Sequence, residues 1–337
     1  MIYPKFIKNG STIGITAPSD GIIDSNDLIR IDNAKVNIEN KGFKVVETKN
    51  VRFSNENRSS TPKERAKQLE ELFKNKNIDL IISACGGEYL MEMLPYLNYE
   101  IIKDNPKWFQ GYSDPTWLTY TITTCLDIAT IYSNNYKAFG MKKWHSSLNN
   151  NIEILKGNNI IQKSFPKYED KKINNNNPLK SYNLTQKVNW KIITGEDNIA
   201  ITGRIIGGCL DVIGDIFGTK YDKTKNFLEK YQNDGIIWYL ENFSLSSENI
   251  TRLLWKLKTN GYFNHTKLIV FGRNFMYTSL YNKTFEKTVL SQLKDLNIPI
   301  ITDIDIGHTS PRMTIINGAI AKITSKSGKG QIEFNLK

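Results

Sequence analysis

The stretch "FQGYSDPTWLTYTITT" (109–124) joins a short apolar run to a segment whose apolar residues recur at helical spacing. Asp114 followed by Pro115 predicts a helix start, with the acid at the N-cap and proline at the first helical position. Ser113 is then predicted to lie on a sharp strand-to-helix turn. Because N–H groups at such a turn can bind an oxyanion, its hydroxyl is a candidate nucleophile. The alternative is a turn in which Ser113 and Asp114 only cap the helix.

The first half of the chain alternates predicted strands with predicted helices. The strands are "STIGITA", "FKVVET", "IDLIISA", "KWFQGYS" and "IATIYS". This alternation predicts an α/β fold with a doubly wound parallel sheet. Ligands of such sheets bind beyond the carboxyl ends of the strands. Gly86 and Gly87 follow one strand and Ser113 follows another, so we expect these residues to share one crevice.

The segment 151–187 is polar, rich in asparagine and poorly periodic. It predicts a linker or long surface loop between a first domain over 1–150 and a second over 188–337. The second domain also reads as α/β, with strands in "IAITGRIIGG", "GIIWYLEN", "TKLIVFGR" and "IPIITDIDIGH" and a terminal hairpin.

Composition excludes several classes of protein. The net charge is +11, but the lysines are scattered without an arginine-rich stripe, so we expect no nucleic-acid partner. The three cysteines are too few and too dispersed for a disulfide framework or a zinc site. The N-terminus lacks a long apolar run, and no stretch approaches transmembrane length. We therefore expect a cytoplasmic protein without a membrane partner, a metal or a cofactor.

Two further residues have the chemistry that a nucleophilic serine requires. Glu241 ends the apolar strand "GIIWYLE", where a buried carboxylate must be paired or hydrogen-bonded. His308 lies in a strand-end loop before a proline-containing turn. The alternatives are a helix-capping role for Glu241 and a structural role for His308. The chain order Ser, Glu, His matches the α/β-hydrolases, but Pro115 stands where their elbow has glycine.

Five segments together resemble one known family, the LD-carboxypeptidases, a family of serine peptidases that includes an MccF-like branch. The segments are "ACGGEYLMEMLPYLNY", "GYSDPTWLTY", "GRIIGGCLDVIGDIFGT", "IWYLEN" and "DIGHTSPRMTI". The resemblance implies a flavodoxin-like N-terminal domain and a swivelling-barrel-like C-terminal domain, with a triad of Ser113, Glu241 and His308 at their interface. It also implies an oxyanion hole made by the backbone amides of Gly87 and Asp114, with Gly86 lining the substrate site. We further expect a homodimer.

The resemblance leaves the substrate open. One candidate is the terminal L,D-peptide bond of a murein tetrapeptide, which would place the enzyme in peptidoglycan recycling. The other is an aminoacyl-nucleotide amide of the microcin C type, which would confer antibiotic resistance. Trp190 in "KVNWK" is a candidate for stacking a nucleobase, the alternative being a core aromatic at a strand edge. Cys209 stands where many members of the family have asparagine, a difference that also bears on the substrate. A non-catalytic binder of small anions is the alternative from another class.

Overall fold

The computed structural model describes residues 1–170 and 177–336 and divides into two compact units. The N-terminal unit contains Met1–Asn158, Thr314–Ile316 and the described residues of Lys172–Tyr182. The C-terminal unit contains the described residues of Asn159–Lys171, together with Asn183–Met313 and the described residues of Asn317–Lys337.

The β-strands of the described residues are numbered in chain order. They are β1 (Thr12–Thr16), β2 (Lys44–Glu47), β3 (Leu80–Ser83), β4 (Trp108–Gly111), β5 (Thr130–Tyr132), β6 (Gln162–Lys163), β7 (Lys167–Tyr168), β8 (Gln186–Lys187), β9 (Lys191–Thr194), β10 (Asn198–Cys209), β11 (Ile236–Glu241), β12 (Thr266–Gly272), β13 (Ile300–Ile304), β14 (Ile315–Asn317), β15 (Ile320–Lys326) and β16 (Lys329–Asn335).

The α-helices are numbered in the same way. They are α1 (Ser25–Glu39), α2 (Pro62–Lys74), α3 (Tyr99–Asp104), α4 (Thr116–Leu126), α5 (Ser146–Leu155), α6 (Leu210–Ile216), α7 (Thr224–Lys230), α8 (Ser247–Thr259) and α9 (Phe285–Leu293). Short 3₁₀ turns connect several of these elements. No helix among the described residues has both the length and the apolar character that a membrane span requires.

The N-terminal unit is built on a six-stranded sheet in the order β14-β5-β4-β3-β1-β2. The strands from β1 to β5 pair in parallel, which confirms the alternation predicted from the sequence. Every residue of β3 is buried, as expected of a central parallel strand covered on both faces. Helix α2 begins with Pro62 after Thr61, whose hydroxyl accepts from the Glu64 amide at 3.3 Å, as the capping pattern predicts.

The C-terminal unit is built on an eight-stranded mixed sheet in the order β6-β16-β15-β10-β11-β12-β13-β9. Strands β10 to β13 are parallel neighbours, and antiparallel strands flank them on both sides. The carboxyl ends of β10 and β11 lie side by side, because Cys209 and Glu241 are register partners. The sheet therefore brings residues that are 32 positions apart to one edge.

The segment predicted as a linker contains regular structure. Helix α5 extends into it, and the short pair β7-β8 and the edge strand β6 lie within it. The start of its asparagine-rich run, at 171–176, lies outside the described residues, and with it the core of the predicted loop.

Candidate active site

Ser113 occupies a tight turn between β4 and α4. Its φ is +69°, in the left-handed region that non-glycine residues avoid. The Ser113 carbonyl accepts from the Thr116 amide at 2.8 Å and from the Thr116 hydroxyl at 2.5 Å, which fixes the first turn of α4 on the serine. The sequence predicts the sharp turn, and the structure adds the left-handed backbone.

Helix α4 is buried on nearly all sides, which explains how this turn is held. The hydroxyls of Thr123 and Thr124 donate to the carbonyls four residues earlier, those of Thr119 and Tyr120, each at 3.0 Å. This bonding satisfies hydroxyls that would otherwise be unpaired in the core. The helix behind Ser113 is thus a rigid, buried support.

The structure corrects the predicted role of Asp114. Its side chain does not cap α4, whose N-cap is Pro115 and lacks a side-chain cap. The carboxylate instead accepts from the Leu90 amide at 2.9 Å and from the Ser19 hydroxyl. Asp114 therefore ties two neighbouring loops to the turn. Burial raises the pKa of the Asp114 carboxyl to about 6, although both hydrogen bonds lower it.

Gly86 and Gly87 lie at the carboxyl end of β3, beside this turn. A Cβ on Gly86 would lie 3.1 Å from the Ser113 hydroxyl oxygen. Gly87 has φ +153°, and a Cβ there would lie 2.2 Å from the Ser19 hydroxyl oxygen. At Gly87 the positive φ and the contact with Ser19 favour glycine, and at Gly86 the absence of a side chain leaves room for the Ser113 hydroxyl. The structure therefore brings Gly86 and Ser113 together, as the strand ends predict.

Replacing Asp114 with asparagine tests its raised pKa through the pH dependence of stability. Below pH about 4 the Asp114 carboxyl is protonated in both the folded and the unfolded protein. Between pH about 4 and 6 it ionises only in the unfolded protein, so the free energy of unfolding of wild type falls as pH rises. A folded pKa of about 6 corresponds to a loss of roughly 3 kcal/mol. Urea unfolding across this range should show wild type losing that amount relative to Asp114→Asn. A constant difference would mean that the folded carboxyl is already ionised.

Glu241 and His308 form a hydrogen-bonded pair within the C-terminal unit. His308 Nδ1 lies 2.9 Å from Glu241 Oε2, and the two side chains are 9% and 0% exposed. Glycines on two neighbouring segments admit the glutamate, since a Cβ on Gly272 or Gly307 would come within 3.0 and 2.7 Å of the Glu241 Cβ. The carboxylate can therefore orient the imidazole and stabilise its protonated form.

Two arginines hold the loop that carries His308. Arg312 Nε donates to the Gly307 carbonyl at 2.6 Å. Arg273 donates to Asp305 at 2.6 Å and to the Thr309 hydroxyl at 2.9 Å. Each bond involves a charged donor, and both guanidinium groups are almost fully buried. His308 thus lies on a loop held by two buried arginines, a feature that no local sequence pattern predicts.

Two phenylalanines lie against the imidazole. The Phe243 ring centroid is 4.4 Å from that of His308, and Phe275 is 6.1 Å from it. The two phenyl rings stack at 5.7 Å with an interplanar angle of 12°. They were missed from the sequence, although both follow the ends of parallel strands, where site residues collect. Their apolar rings cover one side of the His308 imidazole.

Trp190 lies in the core, which is the second of the two interpretations that the sequence left open. It is 2% exposed, and its indole N–H donates to Asp305 at 2.9 Å. A Cβ on Gly330 would lie 2.0 Å from the ring, so backbone covers one edge. The structure thus corrects the prediction of a loop tryptophan that is accessible to a nucleobase. The Asp305 carboxylate accepts from both Arg273 and Trp190.

We expect Trp190→Phe to lower the free energy of unfolding by about 2 to 4 kcal/mol, because it removes a donor to a buried carboxylate and leaves a small cavity. Trp255→Phe is the matched control, since Trp255 is 58% exposed. Chemical denaturation of both variants measures the difference. Equal stability of the two variants would contradict the core assignment.

Cys209 lies beside the acid–base pair. It faces Glu241 across β10 and β11, and one ligand atom from each of Cys209, Glu241 and His308 lies within 4.8 Å of the others. Burial first, and then the charges of Glu241 and Asp211, raise the pKa of its thiol well above the usual value. No local sequence pattern indicates this mixed cluster, because it depends on the register of β10 and β11.

Models of one family match both units. A model described as the LD-carboxypeptidase N-terminal domain matches residues 13–133, and the LD-carboxypeptidase C-terminal domain matches residues 202–323. Together the matches cover well over half of the chain, and each lies largely within one compact unit.

Individual relatives agree with the family models. The chain is 31% identical over 289 residues to the microcin C7 self-immunity protein MccF of Escherichia coli, covering 82% of this chain and 80% of MccF. It is 26% identical over 344 residues to a putative carboxypeptidase of Vibrio cholerae, covering 99% of this chain and 96% of that protein. A structure of MccF in complex with aspartyl sulfamoyl adenosine superposes with a TM-score of 0.82 at 26% identity, covering 99% of both chains.

Proposed function

Because the chain belongs to the LD-carboxypeptidase family, we propose that it is a serine hydrolase that cleaves a small peptide-like amide. The observation that carries the proposal is the hydrogen bond of 2.9 Å between His308 and the fully buried Glu241. A histidine held in this way by a carboxylate is a general base for a hydroxyl nucleophile. The strained turn at Ser113 supplies such a hydroxyl.

In the proposed mechanism, His308 takes the proton from the Ser113 hydroxyl as the serine oxygen attacks the amide carbonyl. The backbone amides of Gly87 and Asp114 donate to the oxyanion that develops. His308 then protonates the leaving amine, and water hydrolyses the acyl-enzyme by the same route in reverse. The proposal requires His308 Nε2 to come within hydrogen-bond distance of the Ser113 hydroxyl.

Glu241 has a defined role in this sequence. The imidazole gains a positive charge when it takes the serine proton, and a buried carboxylate at 2.9 Å stabilises that charge. The stacked phenylalanines keep water from competing for the same hydrogen bond. The Glu241–His308 hydrogen bond also selects the tautomer with its proton on Nδ1, so that Nε2 is the acceptor nitrogen of the ring.

The first candidate substrate is a peptide that ends in a D-amino acid, such as a murein tetrapeptide. The description of both matching family models as LD-carboxypeptidase domains supports it. Cleavage of the last L,D-peptide bond would release D-alanine. On the same family membership rest the proposed flavodoxin-like fold of the N-terminal unit and the proposed swivelling-barrel-like fold of the C-terminal unit.

The second candidate is an aminoacyl-nucleotide amide. It is favoured by the 31% identity to MccF and by the MccF structure that holds aspartyl sulfamoyl adenosine. The buried indole of Trp190 does not supply a stacking surface for the base in this conformation. Stacking of the base would therefore require an aromatic side chain other than Trp190.

Mass spectrometry of the purified protein incubated separately with the two substrates tests the proposal. Loss of one alanine residue from the tetrapeptide identifies the first, and release of the free amino acid from the nucleotide conjugate identifies the second. A fluorophosphonate probe that labels wild type but not Ser113→Ala identifies the nucleophile. Absence of both products and of labelling would favour the non-catalytic anion binder.

A further inference from the structure

Glu241 and His308 form a cluster of potential metal ligands with a third residue, Cys209, which has no role in the proposed hydrolysis. Cys209, Glu241 and His308 each contribute one ligand atom, and these atoms lie within 4.8 Å of one another. The first two end neighbouring parallel strands in register, so the sheet fixes their separation. The third is held on a loop braced by Arg312 and Arg273. The cluster is therefore a fixed feature of the C-terminal unit.

The chemistry of these donors fits a thiophilic divalent cation. A tetrahedral Zn²⁺ site takes thiolate sulfur, imidazole nitrogen and carboxylate oxygen at about 2.0 to 2.3 Å, so its ligand atoms lie roughly 3 to 4 Å apart. Small side-chain movements convert a cluster within 4.8 Å into such a site. One thiolate and one carboxylate neutralise the charge of the cation, which matters because the side chains of Glu241 and His308 are almost fully buried.

We propose that Cys209, Glu241 and His308 form an inhibitory site for a thiophilic divalent cation such as Zn²⁺. Binding forms three metal–ligand bonds and leaves the fourth position to water. The Cys209 thiol releases its proton to solvent, and the hydrogen bond between Glu241 and His308 breaks. The imidazole binds through Nδ1, and the proton that Nδ1 carried moves by way of solvent to Nε2, so the ring stays neutral.

The position of Asp211 supports the site. Its carboxylate lies 3.6 Å from the Cys209 sulfur and accepts from the Phe243 and Ser244 amides at 3.0 and 2.9 Å. It adds negative charge beside the thiol and fixes the chain that leaves Glu241. Ordered groups of this kind around the ligands raise metal affinity.

The inhibitory effect rests on the proposed function, whereas the binding does not. A cation on Glu241 and His308 would remove the base and its orienting group together. A serine hydrolase without a thiol at position 209 would lack one of the three ligands. Inhibition by zinc is therefore tied to Cys209.

Binding is tested with Co²⁺, whose bond to a thiolate gives a near-ultraviolet charge-transfer band. EDTA-treated wild type should bind one Co²⁺ per chain with this band, and Zn²⁺ should displace it. A variant carrying Cys85→Ser and Cys125→Ser, in which Cys209 is the remaining thiol, should keep the band. Cys209→Ser should lose it and bind Zn²⁺ more than about tenfold more weakly.

The outcomes are separable. No band in wild type, or loss of the band in the Cys85→Ser, Cys125→Ser variant, overturns the site. An unchanged Zn²⁺ affinity in Cys209→Ser also overturns it. If Cys209→Ser does not fold, the double variant still decides. If the protein turns over neither substrate, the proposed function fails, but the cobalt band still tests metal binding. If it does turn over a substrate, Zn²⁺ should inhibit wild type reversibly and should inhibit Cys209→Ser only weakly.

Discussion

Replacing Ser113 with alanine is expected to lower kcat by at least about 10³-fold on whichever substrate the protein hydrolyses. The hydroxyl is the proposed nucleophile, and without it no acyl-enzyme can form. The fold should survive, because alanine keeps the backbone restrictions of serine at φ +69° and creates no core cavity. Steady-state kinetics with the identified substrate measure the loss, and circular dichroism verifies the fold.

Ser181→Ala is the control for Ser113→Ala. Ser181 also belongs to the N-terminal unit, and its hydroxyl donates to the Lys143 carbonyl at 2.7 Å. This variant should retain kcat within a small factor. Turnover of Ser113→Ala near the wild-type rate would contradict a serine mechanism.

Replacing Glu241 with glutamine is expected to lower kcat by about 10³- to 10⁴-fold with a much smaller change in KM. Glutamine has nearly the same shape, so it fits between Gly272 and Gly307. It lacks the charge that stabilises protonated His308, and its amide group can favour the wrong tautomer of the ring. Measurement of kcat and KM separately distinguishes this loss from weaker substrate binding.

Glu248→Gln is the control for Glu241→Gln. Glu248 lies on α8, and its carboxylate accepts from the Leu280 amide at 3.2 Å, away from the imidazole. Its replacement should leave kcat unchanged. A Glu241→Gln variant with wild-type kcat would show that His308 acts without its carboxylate, or is not the base.

The framework of the fold was predictable because it depends on local patterns. Alternating strands and helices gave the parallel sheet of the N-terminal unit, and the residues that end its strands include Ser113 and Gly86. In the C-terminal unit, the same reasoning selected Glu241 and His308, which the structure places in hydrogen-bond contact. Strand ends are informative because a rigid sheet brings them to one edge.

Other features depend on contacts between distant segments, which no local pattern reports. Asp114 has the residue type of a helix cap, yet tertiary partners in two loops take its carboxylate. Trp190 follows a polar segment, yet a buried aspartate 115 residues later binds its indole. Cys209 has no cysteine partner, and its relation to Glu241 depends on strand register.

The left-handed backbone at Ser113 has an evolutionary consequence. Glycine adopts this conformation freely and asparagine tolerates it, so either substitution would relieve up to about 1 kcal/mol of local strain. In lineages that no longer use the reaction, the backbone conformation would therefore not oppose replacement of Ser113 by glycine or asparagine. A lineage that retains serine there keeps a residue that folding alone does not favour. The residue at position 113 would thus distinguish homologues that keep the proposed hydrolytic activity from homologues that have lost it.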